Sequence, residues 1–277
     1  MSFFTAAFLG FIQGLTEFLP VSSSGHLSII QNLLGIDLAD GGLFFDVLLH
    51  LGTVAAVITA YRREVAALIS ELVKTVRVIA GKGAPEDAPP PTRRLLLLLI
   101  TATVPLVIVP LYKDAVESLY GNTLFIGFAL IITGVLLTVS DMFRRGRKTE
   151  RTATVADAVI VGVSQALAVV PGLSRSGVTI SVGTLAGFER NFAVKFSFLL
   201  SIPAVLGANL ISLIGAVREG IDTSLIGVYL AGMVSAFVFG LLAISLIRYI
   251  VKKGKFGKFA IYCLAVGAVT VILSLIL

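Results

Sequence analysis

Two short strings hold most of the side chains that could do chemistry in this chain: Ser22-Ser23-Ser24-Gly25-His26 and Ser174-Arg175-Ser176-Gly177. Each follows a proline, Pro20 or Pro171, and each leads into an apolar run. Offset by 152 positions the two regions align, with Gln13 on Gln165, Leu15 on Leu167, Ser22 on Ser174, Ser24 on Ser176 and Gly25 on Gly177. The copies differ at the reactive residue types. Glu17 meets Val169, Ser23 meets Arg175 and His26 meets Val178, so one copy carries acid and imidazole and the other guanidinium.

Gln13 and Glu17 are four apart, which puts them on one helix face a turn from each other. Placing an acid within hydrocarbon costs about 2.5 to 3.5 kcal/mol on insertion scales, so something must offset it. One reading is a solvated glutamate on an amphipathic surface helix. The other is a carboxylate that, with the Gln13 amide oxygen, holds a hard divalent cation such as Mg²⁺ or Ca²⁺, completed by phosphate oxygens and water.

The hydroxyls of Ser22, Ser23 and Ser24 can cap the helix that follows, and Ser174 to Gly177 offers the same caps. Two helix N-termini aimed at one point make an anion site, because free amides and the helix dipole both favour negative charge there. Arg175 adds a fork that matches phosphate oxygens. Phosphate or diphosphate is the expected occupant, contacted by Ser22, Ser24, Gly25, Ser174, Ser176 and Gly177. Ser23, aligned with Arg175, belongs near the apex of its turn as nucleophile, phosphate ligand or cap. His26 and His50 are the two histidines. An imidazole titrates near neutrality and suits proton transfer, though in a membrane it also serves as a hydrogen-bond partner between helices. The adjoining hydroxyls favour proton transfer for His26, while His50 stays unassigned.

These turns must be positioned by helices in lipid. The chain has 277 residues, of which 57% are hydrophobic and 14% charged, and its mean hydropathy is +1.00. That composition belongs to a polytopic membrane protein. The net charge of +6 sits between apolar stretches rather than on a basic, aromatic-interleaved face, which argues against a nucleic-acid partner. A single cysteine, Cys263, excludes an internal disulfide and a cysteine metal cluster. The apolar N-terminal stretch runs into Gln13 and Glu17 without a small-residue cleavage signal, so it is read as part of the mature protein.

Six stretches approach the roughly 20 residues needed to cross hydrocarbon: Phe44 to Tyr61, Leu95 to Tyr112, Asn122 to Met142, Phe192 to Val217, Ser224 to Ile250 and Phe259 to Leu277. Basic residues collect at Arg62 to Arg94, Arg144 to Arg151 and Lys252 to Lys258, which the positive-inside rule places in the cytoplasm. Residues 1 to 35 and 153 to 190 are pairs of shorter apolar pieces broken at the serine-glycine turns. Parity makes them re-entrant hairpins entering from opposite sides. The expected fold is therefore an all-α polytopic membrane protein: six transmembrane helices plus two re-entrant helical hairpins in an inverted-topology repeat. It is a single domain over residues 1 to 277, with halves of about 1–142 and 153–277 and a cytoplasmic linker at 79–94 whose hydrophilic part is Gly81 to Pro91. Irregular backbone at membrane depth survives only where protein or a wet cavity satisfies it, so the turns should line a cavity.

Nucleotide P-loops, H-E-x-x-H sites and dinucleotide fingerprints are absent. Ser-Gly-His also occurs in phospho-histidine lipid phosphatases, but no histidine follows Ser174-Arg175, which excludes that mechanism. The strings Gln13-Gly-Leu-Thr-Glu17-Phe-Leu-Pro-Val-Ser-Ser-Ser-Gly-His26 and Pro171-Gly-Leu-Ser-Arg-Ser-Gly177 closely resemble those of the undecaprenyl-diphosphate phosphatases of the bacitracin-resistance family. The resemblance covers essentially the whole chain. It implies an integral-membrane enzyme of the bacterial plasma membrane that removes the terminal phosphate of undecaprenyl diphosphate and so recycles the lipid carrier of cell-wall glycans. It further implies dependence on a divalent cation, a homodimer among membrane lipids, and a site facing outward. The family's acidic element maps onto Gln13 and Glu17, its essential histidine onto His26, its motif serine onto Ser23 and its motif arginine onto Arg175. Gln13 departs from the two-carboxylate form of that element and leaves one acid for the cation.

The expected chemistry is phosphoryl transfer in which Glu17, Arg175 and the helix ends offset the charge on the phosphate while His26 deprotonates Ser23 or a water. The rival is a polyprenyl-phosphate flippase, since broken helices in inverted repeats also serve alternating access.

Overall fold

The computed structural model describes residues 1–34, 42–82, 90–143, 146–252 and 256–276. Most of the expected linker (83–89), and parts of other connections (35–41, 144–145, 253–255), lie outside the described residues. Among those described the chain is all-helical, apart from an isolated bridge between Lys148 and Phe188. Six helices are long and apolar enough to cross a membrane: Gly42–Ala60, Pro91–Glu117, Thr123–Met142, Arg190–Arg218, Thr223–Val251 and Gly257–Ile276. They coincide with the six expected spans to within a few residues at most ends.

The first helix, α1 (Phe3–Phe18), is capped by Ser2, whose hydroxyl accepts from the Thr5 amide at 3.1 Å. It stops at Leu19, which is extended (φ −68°, ψ 140°) because Pro20 disfavours helix in the residue before it. After the turn comes α2 (Ser23–Leu34), then α3 (Gly42–Ala60), α4 (Arg62–Ile79) and α5 (Pro91–Thr103). The second span continues as a 3₁₀ helix over Val104–Tyr112, where Pro105 and Pro110 remove backbone donors, and ends in α6 (Lys113–Glu117). The rest of the chain forms α7 (Thr123–Met142), α8 (Val155–Leu167), α9 (Arg175–Leu185), α10 (Arg190–Glu219), α11 (Ile226–Lys252) and α12 (Gly257–Ile276). The start of α8 is fixed by a capping box between Thr154 and Asp157, with Lys148 bonding both Asp157 oxygens at 2.8 and 2.9 Å.

One element extends the sequence reading. The basic connection after the first span, read there for its charge and its linker alone, holds an 18-residue helix, α4. Its apolar residues recur at helical spacing between charged ones, a pattern too polar to register as a span.

Small residues set the packing. α1 lies along α11, where Gly10 and Gly14 leave no room for a side chain: a Cβ would fall 2.2 Å from Gly232 O and 2.4 Å from Ala236 O respectively. In lipid such close backbone approach supplies the dispersion contact that hydrophobic burial supplies in water. α7 packs on α12, α3 lies against α10 and α11, and α8 rests on α5. The larger buried core gathers Phe18, Leu137, Phe188 and Phe196 with the inner faces of α5, α10 and α11. Phe18 of α1 meets Phe198 of α10 edge-on at 5.4 Å.

Candidate functional site

The two serine-glycine turns meet inside the bundle. Ser22 Oγ lies 3.4 Å from the Leu173 carbonyl and Ser176 Oγ donates to the Leu19 carbonyl at 3.2 Å, so each turn is tied to the backbone of the other. A Cβ on Gly25 would come within 3.2 Å of Gly172 Cα, and Gly172 itself has φ +88° and would press a Cβ into the Ile126 carbonyl at 2.7 Å. Glycine is required at position 172 by its φ and the Ile126 carbonyl, while a Cβ at position 25 would need its neighbours to give by a few tenths of an ångström. Ser22 and Ser174 are buried and act as helix caps, accepting from Gly25 N at 3.2 Å and Gly177 N at 3.1 Å. Ser22 holds a left-handed backbone (φ 70°), a conformation that costs a residue with a Cβ about 1–2 kcal/mol and that clusters at functional turns.

Glu17 is the centre of the polar cluster. Its Oε1 accepts from Arg175 Nη2, and its Oε2 accepts from Ser23 Oγ at 2.6 Å and Gln13 Nε2 at 3.1 Å. The expected shared face of Gln13 and Glu17 is found, Ser23 is the first residue of α2, and Arg175, expected to meet phosphate oxygens, is held by the same carboxylate. The carboxylate is buried, and three hydrogen bonds, one of them from the guanidinium, offset its desolvation. Two buried polar atoms are left over, Arg175 Nη1 as an unpartnered donor and Gln13 Oε1 as an unpartnered acceptor. One is suited to an anion and the other to a cation.

His26 is not brought to Ser23. Its Nδ1 donates to the Ser22 carbonyl at 2.7 Å, and its Nε2 meets the Tyr262 hydroxyl at 2.7 Å. The two rings stack with centroids 5.7 Å apart and 9° between planes. The expected His26–Ser23 pairing is therefore not made, because helical geometry from Ser22 turns the imidazole toward α12 while Ser23 turns toward α1.

Several neighbours carry no sequence signal. Thr133 Oγ1 of α7 accepts from the Ser174 amide at 3.1 Å, and Thr179 of α9 joins Ser197 of α10 at 2.6 Å. Single hydroxyls in apolar helices commonly bond their own backbone, so nothing marks these in advance. Asp46 and His50 share α3, with Nδ1 and Oδ2 3.4 Å apart, and both lie within electrostatic reach of Glu17. Gln165, the counterpart of Gln13, is buried with both amide atoms unpartnered.

The family model described as bacitracin resistance protein BacA matches residues 6–269. An undecaprenyl-diphosphatase of Alkaliphilus metalliredigens is 40% identical over all of both chains. Proteins of the same name from Methanosphaera stadtmanae and Syntrophotalea carbinolica are 39% and 42% identical, over 99% and 96% of this chain and 98% and 97% of theirs. With six membrane-competent helices among the described residues and a match along almost its entire length, the chain is a multi-pass membrane protein that belongs to the bacitracin resistance protein BacA family.

Proposed function

We infer that this chain is an undecaprenyl-diphosphatase, hydrolysing undecaprenyl diphosphate to undecaprenyl phosphate and inorganic phosphate, recycling the carrier for cell-wall glycans and conferring bacitracin resistance. Its place is the bacterial plasma membrane, with the site opening to the outer side. The full-length relatives named above are named for this activity and not for translocation, so the flippase reading draws no support from them. The observation that carries the inference is the Glu17–Arg175 pair, with Ser23 on the same carboxylate and Arg175 Nη1 still free to donate.

Ser23 Oγ is the nucleophile this geometry favours. Its proton passes to Glu17 as Oγ bonds the terminal phosphorus, and the bond from that phosphorus to the bridging oxygen breaks, releasing undecaprenyl phosphate. Water then attacks the phosphoserine, inorganic phosphate leaves, and Ser23 recovers its proton. Arg175 and the N-termini of α2 and α9 hold the charge on the phosphoryl oxygens throughout. His26 is assigned to the water step on the family resemblance, and it reaches phosphate on Ser23 only if its imidazole leaves the Tyr262 hydroxyl and turns from α12 toward α1. Ser24 and Ser176, beside the capping serines, add hydroxyl contacts to the diphosphate.

Glu17 and the unpartnered Gln13 oxygen would hold a divalent cation, Mg²⁺ or Ca²⁺, with diphosphate oxygens and water as the remaining ligands. Among the described residues no group of three or more His, Cys, Asp or Glu side chains converges, so these two oxygens fit a cation shared with substrate better than a closed protein cage. Such a cation neutralises phosphate charge.

We also read residues 1–142 and 153–277 as inverted repeats, with α1–α2 and α8–α9 as re-entrant hairpins. The exchange of partners supports this: α1 packs on α11 and α8 on α5, the middle span of the other half in each case. Gly10 and Gly162, 152 apart, occupy equivalent contacts, a Cβ on Gly162 falling 2.3 Å from Ala102 O. A homodimer is proposed on the resemblance alone, and chemical cross-linking in membranes tests it.

The deciding experiment is phosphate release by purified protein in detergent, where no gradient exists, from farnesyl and undecaprenyl diphosphates with and without EDTA. Wild-type protein that releases no phosphate from either substrate overturns the proposal.

A further inference from the structure

A basic recess lined by none of the serine-turn residues lies at the end of the bundle where α3 gives way to α4. It has a volume of about 590 Å³ and is walled by Tyr61, Arg62 and Arg63, by Asn191 and Lys195 of α10, and by Arg248 of α11. A second recess of about 290 Å³ adjoins it, sharing Arg63, Glu64 and Lys195 and reaching Glu150. Four cations face two acids across the pair. Arg248 is fixed in place: its guanidinium lies 4.0 Å above the Tyr61 ring and its Nη2 donates to the Ala60 carbonyl at 2.9 Å. Lys195 is 3.3 Å from Glu150. Arg62 and Arg63 line the recess and are exposed.

From the recess runs α4, whose exposed apolar residues Ile69, Leu72, Val73, Val76 and Ile79 are spaced along one stripe, with Ile79 81% exposed. A helix of this kind lies in the plane of a bilayer with its apolar side among the acyl chains. That posture puts its first turn, and the recess, at the depth of the lipid head groups. The positive-inside rule assigns this end to the cytoplasmic leaflet, where basic pockets between helices take anionic head groups.

We propose that the recess between Tyr61–Arg63, Lys195 and Arg248 binds the phosphate of an anionic phospholipid whose acyl chains lie along α4. Two arginines offer forks to the phosphate oxygens, Arg248 supplies a preorganised charge, and the polar rim accommodates a glycerol head group. The recess shares no residue with the proposed diphosphate site.

The test uses full-length protein and native mass spectrometry from detergent containing phosphatidylglycerol or phosphatidylcholine, with thermal midpoints measured alongside. Wild-type protein retains phosphatidylglycerol selectively. Arg62→Ala/Arg63→Ala weakens that binding about thirtyfold while leaving the lipid-free midpoint unchanged, and Glu64→Gln, which removes an opposing acid, strengthens it about fivefold. Unchanged phosphatidylglycerol binding in both variants overturns the proposal. So does full protection by inorganic phosphate, which would make the recess a site for free anions instead of lipid. Should the double variant misfold, Glu64→Gln alone decides by its gain or lack of gain.

Discussion

Ser23 Oγ donates a hydrogen bond to Glu17 Oε2 at 2.6 Å, and the same carboxylate takes Arg175 on its other oxygen. The proposed nucleophile and the guanidinium proposed to hold phosphate thus meet on the carboxylate proposed to accept the proton, assembled from residues 158 apart in the chain.

From that arrangement, Ser23→Ala should lower phosphate release by about 10²–10⁴-fold, the range for losing a positioned nucleophile and its proton transfer. Rapid quenching with labelled substrate should trap phosphate on wild-type Ser23 and none on the variant. Near wild-type turnover in Ser23→Ala would hand the first step to water.

Arg175→Lys keeps the charge but loses the fork. Turnover should fall by at least about 10²-fold, because a point charge cannot serve Glu17 and the phosphate together. Arg175→Ala also strands a buried carboxylate, and breaking such a pair costs about 3–5 kcal/mol, read as a lowered thermal midpoint. A lysine variant as active as wild type would remove the bidentate role.

Gln13→Glu restores a second acid to the candidate cation site. The metal concentration that gives half-maximal phosphate release should fall about tenfold, since site affinity is tuned by ligand charge, and EDTA should abolish release in both proteins. A metal titration identical to wild type would place the cation elsewhere.

Gly10→Ala and Gly162→Ala test the packing that holds the hairpins. In each, the new Cβ meets a backbone carbonyl at 2.2 or 2.3 Å, so helices must separate. A loss of about 1–3 kcal/mol is expected, measured as a lower midpoint in detergent. Equal stability would mean that these contacts are looser than described.

Much of the molecule was legible in its residues. The six spans followed from apolar run length, because lipid imposes that length on each helix separately. The two turns, the Gln13–Glu17 face and the pairing of the motif copies followed from spacing. What escaped had no local mark: Tyr262 as partner of His26, 236 positions away, and Thr133 behind Ser174.

Sequence by itself determined the solvent, the spans and the inventory of reactive groups, since hydropathy and helical periodicity are summed over neighbours in the chain. Only the tertiary structure decided who bonds whom. It gave Ser23 to Glu17 and His26 to Tyr262, reversing the pairing that adjacency suggests. Hydrogen bonds reach about 3 Å, and which groups come within that reach is set by how closely distant helices can approach. Here that approach is governed by glycines such as Gly10, Gly14 and Gly172.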